Sequence, residues 1–289
     1  MKKTCLILLF PLICLACRPG ADLKEGIPVV SVSILPQQYF IERIAGDLVQ
    51  VNVLIPPGAS PATYEPTLAQ LEQLGKSELY MKMGYLGFEL GWMEKIASVN
   101  PDMKIADLSG GISLISGTGD EDAHGHAHGT DPHIWMSVTN ARIMAGTICA
   151  SLHTLLPAEQ GTLEHNYSAF LLALDSLDRM IRDTLSGLEH RTFIIYHPSL
   201  SYFARDYGLE QLPLELEGKE PSPAHMQLMS GLGQEQHIRA ILLQKQFDQK
   251  NARALAAEIG AEIIVIDPLD PEWFEQMLHI SSQLKSALQ

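Results

Sequence analysis

The chain has 289 residues, with 34 acidic side chains against 20 basic ones and a formal charge of −14. That balance excludes a nucleic-acid partner and is compatible with a cation as partner. The length suffices for two domains of ordinary size, and the four cysteines are too few and too unevenly placed for a disulfide framework.

Lys2 and Lys3, the apolar run Leu6 to Leu15 and the small Ala16 form a secretory leader, so residues 1–16 read as a signal peptide. The run is too short to span a bilayer as a mature helix, which needs about 20 apolar residues. Cys17 directly follows Leu15-Ala16 and resembles the lipidated cysteine of a bacterial lipobox, although Cys14 stands where leucine is usual. Residues 17–27 then read as a lipidated tether, which puts the protein in the periplasm or cell envelope, anchored to a membrane by its N-terminal lipid. Cleavage removes Lys2 and Lys3 and takes the formal charge from −14 to −16. Cys5, Cys14 and Cys17 all belong to this segment, which leaves Cys149 alone in the body of the chain. It sits in the apolar stretch Met144 to Cys149 and reads as a buried core residue, neither a thiolate metal ligand nor a nucleophile.

Pro28 to Leu35 is β-branched and continuous, like a buried parallel strand. Gln37 to Ala45 reads as a helix and Val49 to Ile55 as a strand ending in the loop Pro56-Pro57-Gly58-Ala59-Ser60-Pro61. A helix capped by Thr67, a strand from Leu79 to Met83, a helix from Leu90 to Ser98 and a strand from Lys104 to Asp107 follow. Residues 28–156 thus form an N-terminal α/β lobe that closes with a helix from Val138 to Leu155. Leu163, Tyr167, Phe170, Leu174, Leu177, Ile181 and Leu185 recur at helical spacing over Ala158 to Leu188, predicting one long connecting helix within residues 157–190. The alternation restarts over residues 191–289. It runs through strands at Thr192–Tyr196, Leu209–Leu214, Ala240–Leu243 and Glu262–Ile266, with intervening helices, and ends in a helix from Trp273 to Leu288. The fold class is α/β: two lobes with parallel sheets joined by one long helix.

Three residues stand between or just beyond these elements: His133 in Asp131-Pro132-His133-Ile134-Trp135, His197 after Tyr196, and Asp267 after Ile266. Ligands bind beyond the carboxyl ends of strands in open parallel sheets. Two imidazoles and a carboxylate gathered there would suit a borderline metal such as zinc. Their separations of 64 and 70 positions do not prove that they converge.

The loop Val53 to Thr67, the segment Asp131 to Trp135, the run Tyr196 to Leu209, Asp267-Pro268-Leu269 and Glu217 to Ser222 together resemble, in order, the motifs of the periplasmic zinc-binding lipoproteins of metal ABC importers, the ZnuA/TroA type of cluster A-I. The resemblance covers nearly the whole mature chain. It implies two pseudo-symmetric lobes, a metal in the interlobe cleft held by His133, His197 and Asp267, and a monomer that delivers the metal to a membrane permease without turnover. Histidine in the third motif implies Zn²⁺, with Mn²⁺ or another divalent metal as the alternative within the same family. A metal-dependent adhesin is a further alternative. A zinc hydrolase is disfavoured by the absence of a His-Glu-x-x-His motif or a nucleophile elbow.

One departure concerns the first motif, where the family carries a metal-binding histidine and this chain has Ala62. Three completions of the ligand set are open: a water, a donor such as Glu65 or a histidine of the tract, or an altered site. The tract is the loop 120–129, which opens with Asp120-Glu121-Asp122 and continues with His124, His126 and His128 separated by small residues. It resembles the histidine-rich loop of zinc-uptake members and reads as an auxiliary metal-binding segment. His153, His165, His190, His225, His237 and His279 read as surface or capping residues.

Overall fold

The computed structural model describes residues 26–116, 129–216, 218–245 and 249–289. The leader, Cys17 and the histidines at 124, 126 and 128 lie outside the described residues. No helix among the described residues is long and apolar enough to cross a membrane.

The first half contains β1 (Val29–Val32), α1 (Leu35–Ala45), β2 (Gln50–Val53), α2 (Leu68–Leu74), β3 (Leu79–Lys82), α3 (Gly87–Val99), β4 (Lys104–Asp107) and α4 (Val138–Leu155). After α5 (Gln160–Thr184), the second half contains β5 (Thr192–Ile195), α6 (Ser201–Tyr207), β6 (Glu210–Pro213), α7 (Pro223–Glu235), β7 (Ala240–Gln244), α8 (Lys250–Ile259), β8 (Glu262–Ile266) and α9 (Trp273–Leu288). The two sheets are wholly parallel, with orders β2-β1-β3-β4 and β6-β5-β7-β8. The second order repeats the first, strand for strand, which is the pseudo-symmetry of the two lobes. In each sheet the chain first moves to one side of its opening strand and then crosses to the other. The switch points therefore fall between β1 and β3 and between β5 and β7, where ligand crevices form in such sheets.

Local chemistry sets the element ends. Thr67 Oγ1 accepts the Gln70 N–H at 3.3 Å and starts α2, and Ser137 Oγ accepts the Asn140 N–H at 3.0 Å and starts α4. The connecting helix is shorter than the apolar spacing predicts. Pro157 to Glu159 form a separate 3₁₀ turn, and Gly187, at φ +67°, follows the end of α5. Leu185 and Leu188 are buried, so the periodic pattern continues past the helix because packing continues past it. The 25 residues of α5 extend about 38 Å at about 1.5 Å per residue.

One apolar core runs from Val30, Val32 and Met81 of the first sheet through Met144, Phe170 and Leu174 to Phe193, Leu242 and Ile264 of the second. Its aromatic centre joins the two halves. Trp273 of α9 sits edge-on to Phe40 of α1 at a centroid distance of 4.8 Å. Its indole Nε1 donates to the Trp135 carbonyl at 2.9 Å, and Trp135 Nε1 donates to the Pro268 carbonyl at 2.8 Å. Both indoles are buried with their N–H groups satisfied, so this pair ties the segment after His133 to the segment after Asp267. Trp273→Ala is expected to destabilise the protein by about 3–5 kcal/mol, the usual cost of a buried Trp truncation, as read from urea denaturation.

Candidate metal centre

The centre is built from two histidines, each oriented by a carboxylate, the partly buried Asp131 and the buried Glu215. His133 precedes the 3₁₀ turn Ile134–Met136, and its position is fixed by the short Asx turn of Asp131. Asp131 Oδ1 accepts both the His133 backbone N–H at 2.9 Å and the ring Nδ1–H at 2.8 Å. Burial works to raise the Asp131 carboxyl, but hydrogen bonding to His133 and Ser201 holds it below the ordinary carboxylate range. Burial pushes His133 below the ordinary histidine range, against the opposing pull of Asp131, so its neutral form is favoured.

His197 follows β5 at the switch point of the second sheet. Its Nδ1 lies 2.9 Å from Glu215 Oε2. Glu215 stands at the carboxyl end of β6, and its backbone N–H donates to the Tyr196 carbonyl at 2.8 Å, which straps the two strand ends together. Gln244, buried at the end of β7, donates to the His197 carbonyl at 2.8 Å and to Ser199 Oγ at 2.7 Å. The end of β5 thus carries the imidazole, Glu215 after β6 holds its ring, and Gln244 at the end of β7 holds its backbone.

The tautomers follow from the partners. A carboxylate only accepts, so each Nδ1 must carry a hydrogen and each neutral ring presents its lone pair at Nε2. The two Nε2 atoms face each other 3.3 Å apart. Two lone pairs at that distance repel unless a proton or a cation lies between them. Two nitrogens at about 2.0–2.1 Å from a tetrahedral zinc would be separated by about 3.3 Å. The pair thus has the spacing and the carboxylate–imidazole support of a zinc site.

The second lobe grips the segment that carries His133. Tyr202 of α6 donates its hydroxyl to the Asp131 carbonyl at 2.9 Å and accepts the Ile115 N–H at 3.1 Å. Ser137 Oγ donates to Asp206 Oδ2 at 2.5 Å. An antiparallel bridge between Ser116 and Thr130 brings together the two ends of the segment containing the histidine tract, beside the site.

Asp267 follows β8 as expected, but its carboxylate is not joined to the imidazole pair. Oδ1 accepts the Leu269 N–H at 3.1 Å, and Oδ2 lies 4.0 Å from Lys245 Nζ. His133 and His197 line a cleft of about 1050 Å³, whereas Asp267 lines an adjoining pocket of about 470 Å³; Leu269 borders both. Among the described residues, His133, His197 and Asp267 do not form a set with donor atoms all within 4.8 Å of one another.

Ala62 lines the cleft with the histidines, while Glu65 is exposed and is not among the described residues that line it. The Ala62 loop is seated on the start of α3. Phe88 N–H donates to the Pro61 carbonyl at 2.8 Å, and a Cβ on Gly87 would meet the Ala62 carbonyl oxygen at 2.7 Å, so only glycine permits that approach.

With this geometry in view, the comparisons with known proteins are specific. The family described as zinc-uptake complex component A, periplasmic (ZnuA), matches residues 30–287. The chain belongs to the ZnuA family. Within that family it is 27% identical over 283 residues to the zinc-binding lipoprotein AdcA of Streptococcus pneumoniae strain R6, covering 93% of this chain. The chain spans only 56% of AdcA's own length. It is 27% identical over 267 residues to the high-affinity zinc uptake system protein ZnuA of Bacillus subtilis, covering 88% of this chain and 82% of that protein. A crystal structure of ZnuA superposes with a TM-score of 0.85 at 38% identity, over 91% of this chain and 100% of the other. The ZnuA family is a family of solute-binding proteins, which accounts for the paired lobes and the cleft between them.

Sequence reasoning did not identify the supporting carboxylates. Asp131 lies in the segment Asp131 to Trp135, where nothing in the sequence separates a supporting carboxylate from an ordinary turn residue. Glu215 gave a weaker signal, as a single acidic residue closing a short strand and 18 positions from its imidazole.

Proposed function

We propose that this chain captures Zn²⁺ outside the cytoplasm and delivers it to the membrane permease of an ABC importer, without chemical turnover. The observation that carries the reading is the pair of imidazoles with Nε2 atoms 3.3 Å apart, each backed by a carboxylate. Two nitrogen donors favour zinc over manganese, which prefers oxygen. The names of AdcA and of the Bacillus ZnuA, both zinc-handling proteins, support the same assignment.

In this reading His133 and His197 are the primary ligands. Asp267 is the third donor and reaches the ion by leaving its contacts with Leu269 and Lys245. The negative charges of Asp131 and Glu215 help to offset a dication. The continuous core and the indole clasp favour a small adjustment of the cleft over a wide hinge opening. The protein acts as a monomer anchored through Cys17. Its lobes span residues 28–156 and 191–289 about the connecting segment 157–190, and the tract histidines serve as weaker auxiliary sites.

Zinc titration of the metal-stripped protein tests the centre. One tight site is expected, together with weaker sites lost on deleting residues 120–129. Glu215→Gln and Asp131→Asn should each weaken the tight site by about 10–100-fold, the usual effect of removing a carboxylate that orients a ligating histidine. Unchanged affinity in both variants would remove the carboxylate-backed pair from the zinc site.

A further inference from the structure

A second group of donors lies on the opposite end of α4. Cys149 and His153 are four residues apart on one helix and share a face, with Sγ and Nε2 separated by 3.6 Å. Glu164, near the start of α5, places a carboxylate oxygen 3.9 Å from the same Nε2. All three donor atoms lie within 4.8 Å of one another. Cys149 is buried, His153 is partly exposed and Glu164 is exposed, so the group opens to solvent on its imidazole and carboxylate side. Cys149 is buried, in line with its reading as a core residue, and α4 and α5 bring it and the partly exposed His153 against an acidic partner.

The distances of this hydrogen-bonded pair also fit a shared ion. A sulfur at about 2.3 Å and a nitrogen at about 2.0–2.1 Å from a tetrahedral zinc lie about 3.5–3.6 Å apart, matching the Cys149–His153 separation. The corresponding nitrogen–oxygen separation is about 3.3 Å, so the 3.9 Å between Glu164 and His153 must close by about 0.6 Å, with the carboxylate also drawn toward Cys149. An exposed glutamate does so by rotamer adjustment. Cys149 is 11 residues into α4, about 16 Å along the axis from the helix start beside the cleft. The group is therefore separate from the His133–His197 pair.

We propose that Cys149, His153 and Glu164 form a second, solvent-accessible site for a borderline dication of the zinc class. Thiolate, imidazole and carboxylate supply three donors, and the open side leaves the fourth position to solvent. Binding converts the thiol to a thiolate and releases its proton to water. With its carboxylate donor exposed, the site is open to exchange with solvent.

The test uses Co²⁺ as a spectroscopic stand-in for zinc on the full mature chain carrying His133→Ala and His197→Ala. A sulfur-to-cobalt charge-transfer band in the near ultraviolet is expected, and it should disappear when Cys149→Ser is added. The tract histidines bind through nitrogen and give no such band. His153→Ala, in the same background and with an unchanged far-ultraviolet circular dichroism spectrum, should also abolish the band, which keeps the test decisive if the serine variant folds poorly. The proposal is overturned if the band is missing from the His133→Ala/His197→Ala protein. Its survival after Cys149→Ser, which would place the sulfur at Cys17, also overturns it. Because both cleft imidazoles are absent throughout, and the remaining cleft donor Asp267 offers oxygen and gives no sulfur band, this result is independent of the function proposed for the cleft.

Discussion

His197→Ala is expected to abolish tight zinc binding, with His133→Ala giving the same result. Each loss leaves one Nε2 donor of the facing pair, and no neighbouring imidazole among the described cleft-lining residues can replace the missing one. The effect should exceed the roughly 10–100-fold penalty of losing a supporting carboxylate. Isothermal titration of the metal-stripped proteins reads it directly, and full-affinity binding by either variant would disqualify the pair as the zinc site. The fold itself should tolerate both changes. His133 and His197 lie at the cleft surface, not in the indole-centred core, and the clasp between Trp135, Pro268 and Trp273 uses neither ring. His197→Ala does strand Glu215 without its ring partner. That carboxylate borders the cleft and can be hydrated there, which limits the cost.

Much of the architecture is legible in the residues. Runs such as Glu262 to Ile266, Lys104 to Asp107 and Val138 to Leu155 lie within the bounds that β-branched content, periodicity and caps predict. Boundaries fail where packing and backbone geometry part company. Leu185 and Leu188 keep the apolar rhythm of α5 although the helix has ended before Gly187. The site divides in a similar way. His197 is legible because it directly follows a strand, and a strand end in a parallel sheet is a ligand position. His133 is not at a strand end; it comes from the long connection between β4 and α4, and its place depends on Tyr202 and Asp131. Glu215 is hidden because pairing with His197 depends on β5 and β6 being neighbours, which no local spacing reveals. The Cys149 group is hidden for the same reason: an i, i+4 pair is visible in sequence, but its carboxylate belongs to the next helix.

Ala62→His is expected to tighten zinc binding by at least about tenfold, or about 1.4 kcal/mol. The argument begins with the loop. Ala62 lines the same cleft as His133 and His197, and its backbone is held by the Pro61 carbonyl bond to Phe88 and by contact with Gly87. Ala62 is exposed, so an imidazole there enters open cleft space and displaces no core side chain. The added ring brings a third nitrogen to a pair already spaced for zinc, and a preorganised donor costs less ordering than a mobile one. The three sources of the missing donor now separate by experiment. If water completes the site, Ala62→His tightens binding, whereas Glu65→Gln and deletion of residues 120–129 leave the tight site as it was. If Glu65 completes it, Glu65→Gln alone weakens the tight site, although the exposure of Glu65 and its position outside the described cleft lining argue against that result. If a tract histidine completes it, the deletion weakens the tight site and Ala62→His restores it. Zinc affinity unchanged by Ala62→His would place the side chain at position 62 outside the coordination sphere and overturn the expectation.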